Sequence, residues 1–488
     1  MTLLEQCRIW NENKEYKNVI VAIETLEEKY RSPDLDCELA CAYNNIGDAD
    51  HMQYFQKAAG LLLKHEKLLS DEYSFNFRLA YAYYFLDEKS QAFYHFKKAY
   101  DARPGDPMSG ELMMECMRQL SFPVFENTYK DKVKAAWETF VRAEEDIEQM
   151  QKMEGEKELH SIFGKAMTDI NLEWTGKNEI TFYTDWDKNK LFKLQYLCSK
   201  MPEEIRSIWS IHIGRPALST DELRTLRVVD NKSGMEFSVE DFAYWIEDGD
   251  ILIYSEKIIG LLDQEELAYN VTDEIMINIF GEISIMALEP KYSILRKPGK
   301  DKGRPLTDLI SEWEGSGRKA SVSPLEYLNT SVRYDRSPDM SSEPVIRSDV
   351  YVGTTACPGL INEYSKTNFG DEAEVVDSFA EDGIGIGYIS YPLSFIKYKN
   401  NFVNEIRSFN TRLMKAVADV VGLEEVTFTG GATGTERGYI DLISWGSMVE
   451  VLGALIDFFG NDEMFDVQFQ CFRSGFPPMD IFAEDNYV

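Results

Sequence analysis

The stretch Tyr73–Pro107, ending FYHFKKAYDARPGDP, constrains the fold more than any other part of the chain. It reads as two helices joined by a tight turn. Leu79, Ala80 and Tyr83 fall on the first helix, and Ala92, Phe96 and Ala99 on the second. Small residues at 80, 92 and 99 let the two helices approach, and Tyr83 and Phe96 fill the space beside them. Pro104 closes the unit, because its ring removes an amide donor and clashes with the preceding turn. A helix pair of this kind keeps an apolar face that only a stacked neighbour can bury.

The neighbours are present upstream. LACAYNNIGDADHMQYFQKAA (39–59) places Leu39, Ala40, Tyr43, Gly47 and Ala59 at matching positions. The step from Leu39 to Leu79 exceeds the usual repeat of about 34 residues, so GLLLKHEKLL (60–69) must hold an extended helix or a loop. A partial match at Trp10, Tyr16, Val19, Ile23 and Leu26 precedes Pro33, and Pro107 to Leu120 follows as a capping helix. Residues 1–122 therefore form an all-α array of helical repeats. Tyr43 and Tyr83 are the array's candidate contacts with a partner.

Beyond it the periodicity changes. Residues 123–160 read as a helical connector whose first half packs through Val133, Trp137 and Phe140 and whose second half is charged. In 161–290 the order is strand EITFYT, helix NKLFKLQYLCSKM, strand SIWSIHIG, an excursion, strand DILIYS, helix EELAYNVTDEIMINIF and strand EISIMAL. Proline, glycine and serine mark 291–348 as a linker or surface excursion with one short helix at LTDLISEW. In 349–488 an opening strand and an acidic helix precede a second β-α-β-β-α-β succession. Its first helix carries the stripe Phe402, Ile406, Phe409, Leu413, Val417 and Val420. The expected fold class is thus multi-domain: helical repeats, then an α+β region compatible with two tandem ferredoxin-like units.

Composition sets the classes of function. A net charge of −33 repels nucleic acid and anionic membranes and favours a basic protein partner or simply solubility. The N-terminus lacks the basic and apolar regions of a signal peptide, and no apolar run is long enough to span a bilayer, so a cytoplasmic location is expected. The 7 cysteines are scattered without a CxxC pair and read as reduced thiols.

Chemistry-bearing motifs are sparse. GGATGTERG (430–438) lacks the spacing of a dinucleotide loop and the lysine of a phosphate loop. It is either a structural hairpin or a contact made through Thr433, Thr435, Glu436 and Arg437. All 5 histidines lie at or before 212, so the last unit cannot supply an imidazole base. Cys357 reads as a buried or merely exposed thiol, since a nucleophile there would need a base such as His212 from the preceding unit. The acidic cluster Asp371, Glu372, Glu374, Asp377, Glu381 and Asp382 and the basic run Arg296, Lys297, Lys300, Lys302 and Arg304 read as solvated surfaces. No catalytic residue, cofactor or metal is expected.

The motif positions quoted above resemble those of tetratricopeptide-repeat proteins. Together with GGATGTERGYIDLISW, the whole chain is similar to bacterial proteins that join such repeats to a large α/β C-terminal portion. The resemblance implies a cytoplasmic protein with a protein partner and brings no site residues. The expected function is a non-catalytic interaction scaffold, of regulatory or immunity type, whose repeat groove binds a peptide or helix. The alternative is an enzyme or small-molecule binder with a cleft between the α+β units around Asp185, Trp186, His212, Cys357 and the Gly430–Gly438 loop.

Overall fold

The computed structural model describes every residue except 231, 300, 336–346, 348, 397–400 and 484–488. Lys300 of the basic run and part of the expected linker lie outside the described residues. The chain divides into two compact units, one made of Met1–Thr128 with Arg333–Val488 and the other of Tyr129–Val332. The two ends of the chain therefore share one unit, and the middle forms the other. Each is described by itself.

The first unit begins with eight helices: α1 (Leu3–Glu12), α2 (Tyr16–Glu24), α3 (Pro33–Ile46), α4 (Gln53–Leu63), α5 (Glu66–Leu69), α6 (Tyr73–Phe85), α7 (Lys89–Ala102) and α8 (Pro107–Ser121). Local chemistry starts several of them. Ser32 and Asp106 cap α3 and α8 by accepting from Leu35 N and Ser109 N, with Pro33 and Pro107 in the first turn. Packing proceeds in a ladder: α2 and α1 on α3, α3 on α4 and α6, α4 on α6, α6 on α7, and α7 on α8. The extra residues of the long step form the single turn α5. Leu79, Ala80, Ala92, Phe96 and Ala99 are all buried at 0% exposure, as close helix approach requires. A charge ladder fixes the helices' register. The Glu38 carboxylate on α3 receives Arg78 from α6 at 3.1 Å and Asn11 from α1 at 2.7 Å.

The described residues of the rest of this unit form a seven-stranded sheet with four α-helices. In chain order these are β1 (Val332–Asp335), β2 (Val350–Thr355), α9 (Pro358–Lys366), α10 (Glu374–Glu381), β3 (Gly385–Pro392), α11 (Phe402–Val421), β4 (Val426–Gly434), β5 (Arg437–Ser444), α12 (Met448–Asn461), β6 (Gln468–Gln470) and β7 (Met479–Asp480). The sheet order is β1-β2-β4-β5-β3-β6-β7. From β3 to β6 the succession is β-α-β-β-α-β, and its strands lie second, third, first, fourth, each pair antiparallel. Strand alternation divides the residues between two faces. Ile389, Tyr391, Ile440, Leu442 and Phe469 meet α11 and α12 in one core. Tyr388, Tyr439, Asp441 and Gln470 point the other way and are buried too. The helical array shares its own core with Cys471 and Phe476, and Phe93 on α7 packs edge-on to Phe476 at 4.9 Å.

The second unit departs from the expected β-α-β-β-α-β order. Its strands form a three-stranded sheet, a two-stranded ladder and a four-stranded sheet. EISIMAL is a helix, Glu282–Leu288, which Gly281 (φ +83°) turns away from the preceding helix Glu265–Phe280. Its first three residues are all buried, so the apolar run carries no period that separates helix from strand. The expected connector is core material: Trp137 and Phe140 pack with Phe163, and the Trp137 indole donates to Leu197 O at 2.9 Å. The expected linker contributes to another core of this unit, through Leu306, Leu309 and Trp313, and pairs Tyr292–Ile294 beside Asp250–Tyr254.

Candidate functional site

The residues singled out in the sequence are mostly occupied inside the fold. Tyr43 is buried, donates its hydroxyl to Glu24 at 2.5 Å and stacks on Tyr54 at 5.8 Å. Tyr83 is buried as well and stacks on His95 at 5.9 Å. Burial pushes the Tyr83 phenol up to about 12, so it stays neutral. Both tyrosines hold helices together, and neither offers a free face.

GGATGTERG is a strand ending and a turn. β4 continues through Gly434, and only Thr435 and Glu436 connect it to β5. Asp349 receives this turn: Thr435 N donates to its carbonyl at 2.9 Å, and Glu436 N and Arg437 N donate to Oδ2 at 2.9 and 3.0 Å. Arg437 reaches across β3, donating to Ser390 Oγ at 3.0 Å and pairing with Asp466 at 3.1 Å. Thr433 sits in the ladder opposite Gly438 and Val352. The glycines answer to strand proximity. A Cβ on Gly430 would lie 2.1 Å from Thr354 O, and one on Gly431 would lie 2.2 Å from Tyr439 O.

The expected cleft residues divide between the units. Asp185, Trp186 and His212 belong to the second, and Cys357, fully buried, and the hairpin belong to the first. Asp185 (φ +51°) and Trp186 (φ +63°) are successive left-handed residues, with Asp185 held by Lys190 at 2.6 Å and Asn171 at 2.9 Å. His212 faces Glu179 at 3.3 Å. In the acidic cluster, Asp377 and Asp382 are buried instead of solvated. Among the described residues no group of three or more His, Cys, Asp or Glu side chains is placed to hold a metal ion.

Two buried networks went unseen in the sequence. In one, Arg347 pairs with Asp441 at 3.0 Å, donates to Tyr334 Oη at 2.6 Å and lies 4.7 Å from the Tyr388 ring centre. Burial raises the Asp441 pKa, and the facing guanidinium opposes that rise. The space left beside this cluster is only 10 Å³, about that of one water, so it is filled structure.

The second network builds a groove. Tyr94 on α7 donates to Asp377 Oδ2 at 2.9 Å. Its oxygen accepts from Ala373 N at 2.9 Å and from Arg473 Nη1 at 2.7 Å. Arg473 Nη2 reaches Asp377 Oδ1 at 2.6 Å and Ser90 Oγ at 3.0 Å. Burial alone would lower the Arg473 pKa, but the Asp377 charge, joined by Tyr94, Cys471 and the hydrogen bond to Asp377, raises it above its ordinary value. The segment after Arg473 is thereby pinned to α7, and its residues Pro477–Asp480 become a wall facing α8.

Between that wall and α8 lies an open groove of 810 Å³. Its apolar lining includes Tyr100, Met114, Met117, Phe122, Pro477 and Met479. Carboxylates of Asp106, Glu111, Glu115 and Asp480 surround it, and its one arginine, Arg118, is paired with Glu115. Met114 stands 51% exposed. In the second unit a polar depression of 730 Å³ is lined by Thr220, Thr307, Ser311 and the Tyr244–Glu312–Arg304 chain. No helix among the described residues is long and apolar enough to cross a membrane.

No family model, curated protein or solved structure matches the chain.

Proposed function

We propose that this chain is a non-catalytic protein-interaction adaptor, regulatory in character, that receives a peptide or helical segment of a partner. The observation that carries the reading is the α8 groove. An apolar lining rich in methionine is left open at the end of the helical ladder, in a wall held rigid by Tyr94, Asp377 and Arg473. Flexible, polarizable thioethers can repack against varied partner side chains. The helix pairs read as tetratricopeptide-like repeats, and β3 to β6 as a ferredoxin-like unit that serves as their platform. None of the seven cysteines forms a disulfide, in keeping with a reducing, cytoplasmic compartment.

The test is affinity purification of the tagged full-length chain from its own cells, beside Met114→Glu. A partner held by the parent and lost by the variant supports the reading. A partner equally retained moves the function away from α8. The polar depression of the second unit motivates the rival small-molecule reading, and a thermal-shift screen with nucleotides, metals and metabolites tests it. A concentration-dependent rise in Tm with one of them would favour the rival.

A further inference from the structure

We infer that the α8 groove takes a basic amphipathic helix of a partner protein, laid along α8 as the next helix of the ladder. The inference rests on the adaptor reading and adds the occupant's chemistry. Within the array, α3, α6 and α7 each pack against a helix before and a helix after. α8 is the last of the series, and beyond it stands the Pro477–Asp480 wall across an open groove. The lining residues on α8 include Gly110, Met114, Met117 and Ser121, at steps of four, three and four. That spacing is one straight stripe about 16 Å long, with small residues at its ends and methionines at its centre. A second helix meets such a stripe with large apolar residues at i, i+3 or i+4, and i+7.

Charge selects among amphipathic helices. Asp106, Glu111, Glu115 and Asp480 border the stripe, and the only lining cation, Arg118, is already paired with Glu115. A partner helix with lysine or arginine flanking its apolar seam meets these carboxylates, and an acidic helix is repelled by them. The chain's net charge of −33 speeds the encounter without choosing the place.

The probe is a fluorescein-labelled 18-residue synthetic peptide of leucine and lysine at helical spacing. It is titrated with the full-length protein at about 0.15 M salt, where exposed charges more than a Debye length apart are screened. The expected result is saturable binding with a rise in peptide helicity. Met114→Glu weakens it about tenfold or more, by setting a charge against the leucine seam. Glu111→Gln/Glu115→Gln weakens it several-fold. Glu12→Gln/Glu450→Gln, which removes the same charge from exposed positions elsewhere, changes it less than about twofold.

Equal losses from the groove pair and the distant pair would overturn the inference, because attraction would then be general. So would binding indifferent to Met114→Glu, or no binding. A glutamate-leucine peptide or a proline-containing extended peptide that binds and responds to Met114→Glu would overturn the basic helix while sparing the adaptor reading. The placement of the adaptor's groove on α8 falls only if cellular capture is also indifferent to Met114→Glu.

Discussion

Replacing Tyr94 by Phe removes one oxygen and leaves the ring, so the variant tests the polar anchor without opening a cavity. That oxygen donates to Asp377 and accepts from Ala373 N and Arg473 Nη1, all within 2.9 Å and all buried. In Tyr94→Phe the Ala373 amide and one guanidinium N–H lose their acceptor, and Asp377 Oδ2 loses a donor. Each stranded buried group costs about 1–3 kcal/mol. Arg473 keeps Asp377 Oδ1 and Ser90, so the costs overlap and the expected loss is about 3 kcal/mol rather than their sum. Urea unfolding followed by far-ultraviolet circular dichroism measures the loss, with Tyr30→Phe, an exposed tyrosine, as the reference. Hydrogen exchange adds a local readout, because peptides covering 371–377 contain the Ala373 amide and should lose protection. A loss under about 0.5 kcal/mol, with exchange at 371–377 unchanged, would refute the claim that this hydroxyl joins α7 to the C-terminal segment.

Three further outcomes are expected. His95 is buried with Nδ1 2.9 Å from Asn76 Oδ1, an acceptor whose own amide donates to Ser70 O and Glu72 O, so Nδ1 carries the proton. Burial, aided by Lys98, pushes its pKa down to about 4, against about 6.5 unfolded. The unfolded chain therefore binds the proton first, and up to about 3 kcal/mol of stability, full above pH 6.5, is lost as pH falls toward 4. Urea titrations across that window should show the slope in the parent and not in His95→Gln. Gly430→Ala sets a methyl 2.1 Å from Thr354 O and should cost about 3 kcal/mol or more, read as a fall in Tm, whereas Gly453→Ala, with nothing within 4 Å, should be neutral or stabilising. Arg347→Met leaves the Asp441 carboxyl buried without its partner, at about 3–5 kcal/mol, and Arg347→Met/Asp441→Leu should recover most of it in the same denaturation assay.

Local order was legible because it is written at short spacing. The stripe from Phe402 to Val420 needs only steps of three and four, and α11 covers Phe402–Val421. The helix pair 73–107 announces itself through Ala80, Ala92, Ala99 and Pro104. The strands flanking GGATGTERG alternate, and only the length of the turn was misjudged, because a strand run of glycines looks like a loop until a third strand presses on it. EISIMAL opens with alternating polar and apolar residues over a length too short to separate the two periods, so it reads as a strand although it is the helix Glu282–Leu288. Likewise, a segment rich in Pro, Gly and Ser reads as a linker although Leu306, Leu309 and Trp313 carry it into a core.

The groove and its anchor had no such signal. Tyr94 and Arg473 stand 379 positions apart, and a buried arginine or aspartate has the same letter as a solvated one. Most of the helices and strands, the apolar faces of the long helices and the net acidity could be read from neighbouring residues and backbone sterics alone. That the first and last parts of the chain share one unit, that β3 lies between β5 and β6, and that α8 runs beside an open wall are visible in the folded chain alone. Those arrangements depend on which distant surfaces bury each other, and burial belongs to the folded whole.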